Sequence, residues 1–146
     1  MSEQSFSVPV ALKDGTRVQG KIIAAFLTEN HWSKAWRLSV SFNDRLIAKE
    51  STDCFEALVE IRRELESEGI KLLCYGSCKE VHPSGMSRDM SGGVKAYRLT
   101  LGWKPGMNDL VHIFETGPDV IPVSVREQED FWQAWVKWLK TLGTAR

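Results

Sequence analysis

The chain carries no net charge, because its 19 lysines and arginines are matched by 19 aspartates and glutamates. It therefore lacks the basic excess that drives sequence-independent nucleic-acid binding, and no nucleic-acid partner is expected. Long apolar runs are absent as well: no window approaches the roughly 18 residues of a membrane span. The N-terminus, MSEQSFSVPVALKDG, has no basic start leading into an apolar segment. These absences predict a cytoplasmic chain with no membrane partner. Cysteine is scarce. Cys54, Cys74 and Cys78 form an odd set in a compartment where thiols stay reduced, which speaks against a disulfide framework. Cys74 and Cys78, with His82 as a third donor, fall short of the ligand set of a zinc site, so neither a metal nor a cofactor is implied. No internal repeat or low-complexity tract appears, and 146 residues suit one domain with a core of its own.

What the chain does have is alternation. Phe6, Val8, Val10 and Leu12 recur at the spacing of a half-buried strand, with Pro9 on the opposite face. A proline there removes a ladder donor and puts this strand at a sheet edge or at its first paired positions. Asp14-Gly15 reads as a tight hairpin turn into a second strand over about Thr16 to Phe26. The polar segment Glu29 to Ala35, interrupted by Trp32, separates that strand from Trp36, Leu38, Val40 and Phe42, an inward-facing set. Asn43-Asp44 then turns the chain into a return strand from Leu46 to Lys49, completing a four-stranded antiparallel meander over 6–50.

Asp53 with Glu56 three positions later marks a helix start, and Gly69 marks its stop, giving a helix over 53–68. Its stripe holds Phe55, Leu58, Val59, Arg62 and Leu65. Arg62, Arg63 and Lys71 read as a solvated basic face around this helix. Ile70 to Tyr75 is short, apolar and glycine-bounded, which predicts a central strand paired with a later one at Val94 to Leu101. Asp109 to Glu115 fits a strand or a helix equally. Ser124 and Glu127 make a capping box for a last helix over 124–142 that ends at Gly143. Phe131, Trp135, Leu139 and Leu142, widened by Trp132, Val136 and Trp138, predict a helix clamped across a sheet; an exposed Trp132 or Trp138 would instead form a partner surface. The expected class is α+β: a mainly antiparallel sheet of about six to seven strands with two helices packed on it.

Between the predicted strands lies GSCKEVHPSGMSRDMSGG, residues 76–93, far longer than the roughly four to six residues of an ordinary connection. Three chemistries compete for it. Ser84, Ser87 or Cys78 with His82 and Asp89 can be written as a nucleophile, base and orienting acid, but the G-x-S-x-G frame is missing. The amides of Ser91-Gly92-Gly93 with Arg88 or Lys95 could hold an anion, though no phosphate-loop spacing is present. Met86 and Met90 as adaptable apolar anchors, with Arg88 and Asp89 supplying charge, suit protein recognition; alternatively both methionines plug the open end of the sheet. The partner-binding set expected from this stretch is His82, Ser84, Met86, Arg88, Asp89 and Met90, with no catalytic residue assigned.

With its single α+β domain, the helix EQEDFWQAWVKWL and the insert GSCKEVHPSGMSRDMSGG, the chain resembles the small cytoplasmic immunity proteins of bacterial polymorphic and contact-dependent toxin systems. The resemblance implies a non-catalytic protein that binds a cognate toxin domain directly. The neutral charge departs from the acidic character of many nuclease-directed immunity proteins, which puts a nuclease partner bound through bulk charge in doubt. The competing functions are a small enzyme or an anion- or nucleotide-binding domain built on 76–93, and a structural subunit that forms a homodimer through the tryptophan-rich helix.

Overall fold

The computed structural model describes residues 3–29 and 34–144. The middle of the polar segment before the third strand, Trp32 included, and the last two residues lie outside the described residues.

Alternation folds as it reads. Strands β1 (Glu3–Ala11), β2 (Arg17–Glu29), β3 (Lys34–Phe42) and β4 (Arg45–Ser51) pair antiparallel as a meander. The register lines up Phe6, Ile22, Val40 and Ile47 as one row across all four, so a single face collects the apolar side chains. Asn43 and Asp44 both take positive φ (48° and 60°), which brings the hairpin turn round with the twist of its strands. Pro9 accepts a hydrogen bond from the Leu73 amide (2.9 Å) on the side away from β2. Its missing donor therefore faces the side of β1 where pairing only begins, as its position predicts.

Helix α1 (Cys54–Glu66) starts at Asp53, whose carboxylate accepts from the Glu56 amide at 2.8 Å. It lays Leu58, Ile61 and Leu65 onto the apolar face of the sheet, and all three are fully buried. Burying a Leu or Ile side chain contributes about 1.5–3 kcal/mol, so this layer is the main source of cohesion.

From residue 70 onward the structure departs from the sequence reading. The predicted central strand is two residues long, β5 (Lys71–Leu72), and lies at the edge of a five-stranded sheet ordered β4-β3-β2-β1-β5. Leu72, Leu73 and Cys74 are buried, which is why the run reads as central. Its backbone, however, changes partners within three residues: the amides of Tyr75 and Gly76 bond to the carbonyls of Glu115 and Ile113. The strand at 94–101 does not pair with it. β7 (Lys95–Arg98) instead sits between β6 (Val81–His82) and β8 (Leu110–His112) in a separate three-stranded antiparallel sheet. Asp109 to Glu115 resolves into that short strand, and Ile113 and Phe114 enter the common core. The α+β class and antiparallel pairing hold, with eight strands in two sheets and three helices among the described residues.

Residues 76–93 are not a loop. A 3-10 turn (Tyr75–Ser77), β6 and a short helix α2 (Gly85–Ser91) fill most of the stretch. Ser84 caps α2 by accepting from the Ser87 amide (3.1 Å). Gly92 closes the helix with φ +66°, and a Cβ there would fall 2.7 Å from the Trp36 ring, so glycine is required twice over.

The last helix, α3 (Val125–Thr144), has the predicted capping box: Ser124 Oγ accepts from the Glu127 amide, and Glu127 accepts from Ser124. It does not clamp the sheet. The face of that sheet belongs to α1, and α3 lies against α1 instead. Among residues 125–142 only Val125 and Gln128 are buried; Phe131, Trp132, Trp135, Val136, Trp138 and Leu139 are half-buried, and Leu142 is exposed. Trp135 donates its indole N–H to the Trp103 carbonyl (3.0 Å), which brings the β7–β8 connection alongside the helix. No described helix is long and apolar enough to cross a membrane.

Candidate functional site

Arg62 is the first correction at the level of side chains. Although it reads as part of a solvated basic face, it is buried. Its guanidinium donates to the carbonyls of Gly76 (3.2 Å) and Val123 (2.7 Å) and to Gln128 Oε1 (2.6 Å). Gln128 Nε2 donates in turn to the carbonyls of Gly76, Cys78 and Val81. This clasp supplies side-chain donors to the carbonyls of the 76–81 segment, only the last residue of which lies in a strand, as buried carbonyls require. Burial pulls the arginine pKa below its ordinary value, and all its hydrogen-bond partners are neutral oxygens.

With the 76–82 backbone fixed, the six predicted partner residues divide into two groups. Met86, Asp89 and Met90 face outward from α2; the two methionines are 72% and 80% exposed. The possibility that they plug the sheet is thereby removed. Arg88 points the other way, pairing with Asp53 (2.8 Å) and Glu56 (3.4 Å) and lying over the Phe55 ring. It is thus an anchor that fastens α2 to the start of α1, where a carboxylate already caps the helix. Ser84 is occupied as the α2 cap. His82 is half-buried, flat against Trp132 (centroids 4.4 Å apart, planes at 13°) and edge-on to Phe55. Burial, reinforced by the Arg88 charge, pushes its pKa down to about 4, so the imidazole is neutral at neutral pH.

The written-out nucleophilic set does not assemble. His82 Nδ1 meets the Pro83 carbonyl (2.9 Å) rather than a serine or Asp89, and Ser87 Oγ is bonded to Ser91 and to the Lys95 carbonyl. Cys78 is buried and its thiol pKa is raised, which leaves it unreactive. The proposed anion cradle is also occupied. The Gly92 and Gly93 amides both turn back to the Ser87 carbonyl, closing a helix C-terminus whose dipole repels anions. Among the described residues no group of His, Cys, Asp and Glu is placed to hold a metal ion.

One cleft was not foreseen. A cavity of about 430 Å³ opens between α1, the 82–88 segment and α3, with Phe55, Val59, Val125 and Trp132 as apolar walls and charged side chains at its mouth. Sequence spacing carries a faint trace of it, since Phe55, Val59 and Arg63 recur every four residues along one side of α1.

No protein-family model matches the chain, and no curated protein matches its sequence. The functional reading therefore rests on the surfaces described above.

Proposed function

We propose that this chain is a non-catalytic binding protein of the toxin-immunity type, which neutralises a cognate bacterial toxin domain by direct protein–protein contact through the outward face of α2. The observation that carries the reading is the exposure of Met86 and Met90, four residues apart on a helix whose inner face is tied down by Arg88. Large exposed apolar side chains on a rigid base are the expected chemistry of an interface anchor, and methionine adapts to irregular partner surfaces. Asp89 between them supplies charge complementarity and orientation.

Co-expression with the product of the adjacent upstream reading frame tests this. The wild-type chain should relieve that protein's toxicity and bind it in a pull-down. Met86→Asp with Met90→Asp should abolish both while leaving the unfolding midpoint nearly unchanged, because neither side chain contributes to the core. Full protection by the double variant would overturn the assignment of this face.

A further inference from the structure

The cleft between α1 and α3 is distinct from the α2 face and carries its own inference. The two helices run antiparallel along it: Phe55 near the start of α1 shares His82 with Trp132, while Glu66 near the end of α1 accepts from the amide of Val125 (2.6 Å) at the start of α3. The Arg62–Gln128 hydrogen bond (2.6 Å) joins the helices between these contacts, and beside it opens a groove lined by the Phe55, His82 and Trp132 rings and by four charged side chains, Glu56, Arg63, Arg88 and Glu129. Of the charges lining it, Arg88 and Glu56 are paired with each other. Arg63 on α1 and Glu129 on α3 are exposed, and neither has an ion-pair or hydrogen-bond partner among the described residues.

We infer that this cleft binds a small zwitterion with an apolar side chain, the chemistry of a free α-amino acid such as phenylalanine. Arg63 takes the carboxylate through its two-pronged guanidinium, and Glu129 takes the ammonium. The side chain runs inward along Val59 and Val125 to the Phe55, His82 and Trp132 rings. With Arg88 and Glu56 paired to each other, one unpaired cation and one unpaired carboxylate remain on the lining, Arg63 and Glu129, and this matches a ligand carrying both charges better than a simple anion, which Glu129 would repel. The volume suits a small molecule, since ligand pockets run from about 300 to 1,000 Å³. His82, held neutral, adds no charge to the site.

Titration calorimetry of the full chain with L-phenylalanine, 3-phenylpropionate and phenethylamine tests the assignment. L-phenylalanine should bind saturably, and each analogue, lacking one charged group, should bind roughly tenfold or more weakly, as expected for losing a charge-assisted hydrogen bond. Arg63→Gln should erase the preference for L-phenylalanine over phenethylamine, and Glu129→Gln the preference over 3-phenylpropionate. Both positions are exposed, so both variants should fold. No saturable binding of L-phenylalanine, equal affinity for all three compounds, or unchanged preferences in the variants would each overturn the proposal.

Discussion

Residues 3–69 and residues 70–144 follow opposite strategies for placing charge and satisfying the backbone. In the first part, four strands pair along their whole length, the core face is apolar, and cations such as Arg45 and Lys49 stay at the surface beside Glu68 and Glu64. In the second, strands are two to four residues long, and their irregular connections are held by side chains reaching from the helices. Arg62, lent by α1 from the first part, is drawn into the core to do what a ladder does elsewhere. The first part makes a platform; the second supplies the α2 face and, together with Phe55, Val59 and Arg63 of α1, the α1–α3 cleft.

The largest test of that contrast is Arg62. If the clasp replaces a ladder, Arg62→Ala should cost at least about 3 kcal/mol in urea unfolding, since several buried carbonyls lose their donor and a cavity opens. Arg62→Met should recover only the packing share. If Met restored full stability, the guanidinium would be filling space rather than satisfying the 76–81 backbone.

The same contrast explains what could be read from the sequence. Strand alternation and cap residues act locally, so the meander, the starts of α1 and α3 and the turn at Asn43-Asp44 were legible. The fate of Ile70 to Tyr75 was not, because burial makes a run apolar without specifying which backbone pairs with it. Seven residues from Gly85 to Ser91 are too few to show helical periodicity, which concealed α2. Arg62 was half legible: it falls on the apolar stripe of α1, and a charge on a buried stripe calls for internal acceptors, but nothing local to it points to Gln128, 66 positions away. The aromatic stripe of α3 reads as core because its spacing reports amphipathicity only. That the sheet face was already taken by α1 is a property of the assembled fold.

A smaller effect should appear in acid, through His82. Its pKa falls from the ordinary 6.5 to about 4 in the folded chain. Between those values the unfolded chain takes up a proton that the folded chain refuses, so stability declines as pH falls through this window. The decline should approach about 3 kcal/mol near pH 4, and the His82 slope should fade out within about one pH unit above 6.5. His82→Phe keeps an aromatic ring between Phe55 and Trp132 and should flatten this part of the profile. His112, whose pKa is also lowered by burial, remains in the variant and accounts for residual slope. Equal slopes in wild type and His82→Phe between pH 6.5 and 4.5 would place the acid sensitivity elsewhere.

The smallest effect belongs to the platform. Arg45 reaches Glu68 through two hydrogen bonds, one of 2.6 Å, in a fork that raises the arginine pKa and lowers that of the carboxylate. Both groups stand in water, where side-chain entropy and solvent screening offset most of the attraction. Arg45→Met should therefore leave the urea midpoint within experimental error of wild type at 0.15 M salt, in contrast with the same substitution at Arg62. A midpoint loss comparable to that of Arg62→Met would mean that the hairpin turn at residues 43–44 depends on this pair, and that the platform too relies on side-chain clasps rather than on its ladders alone.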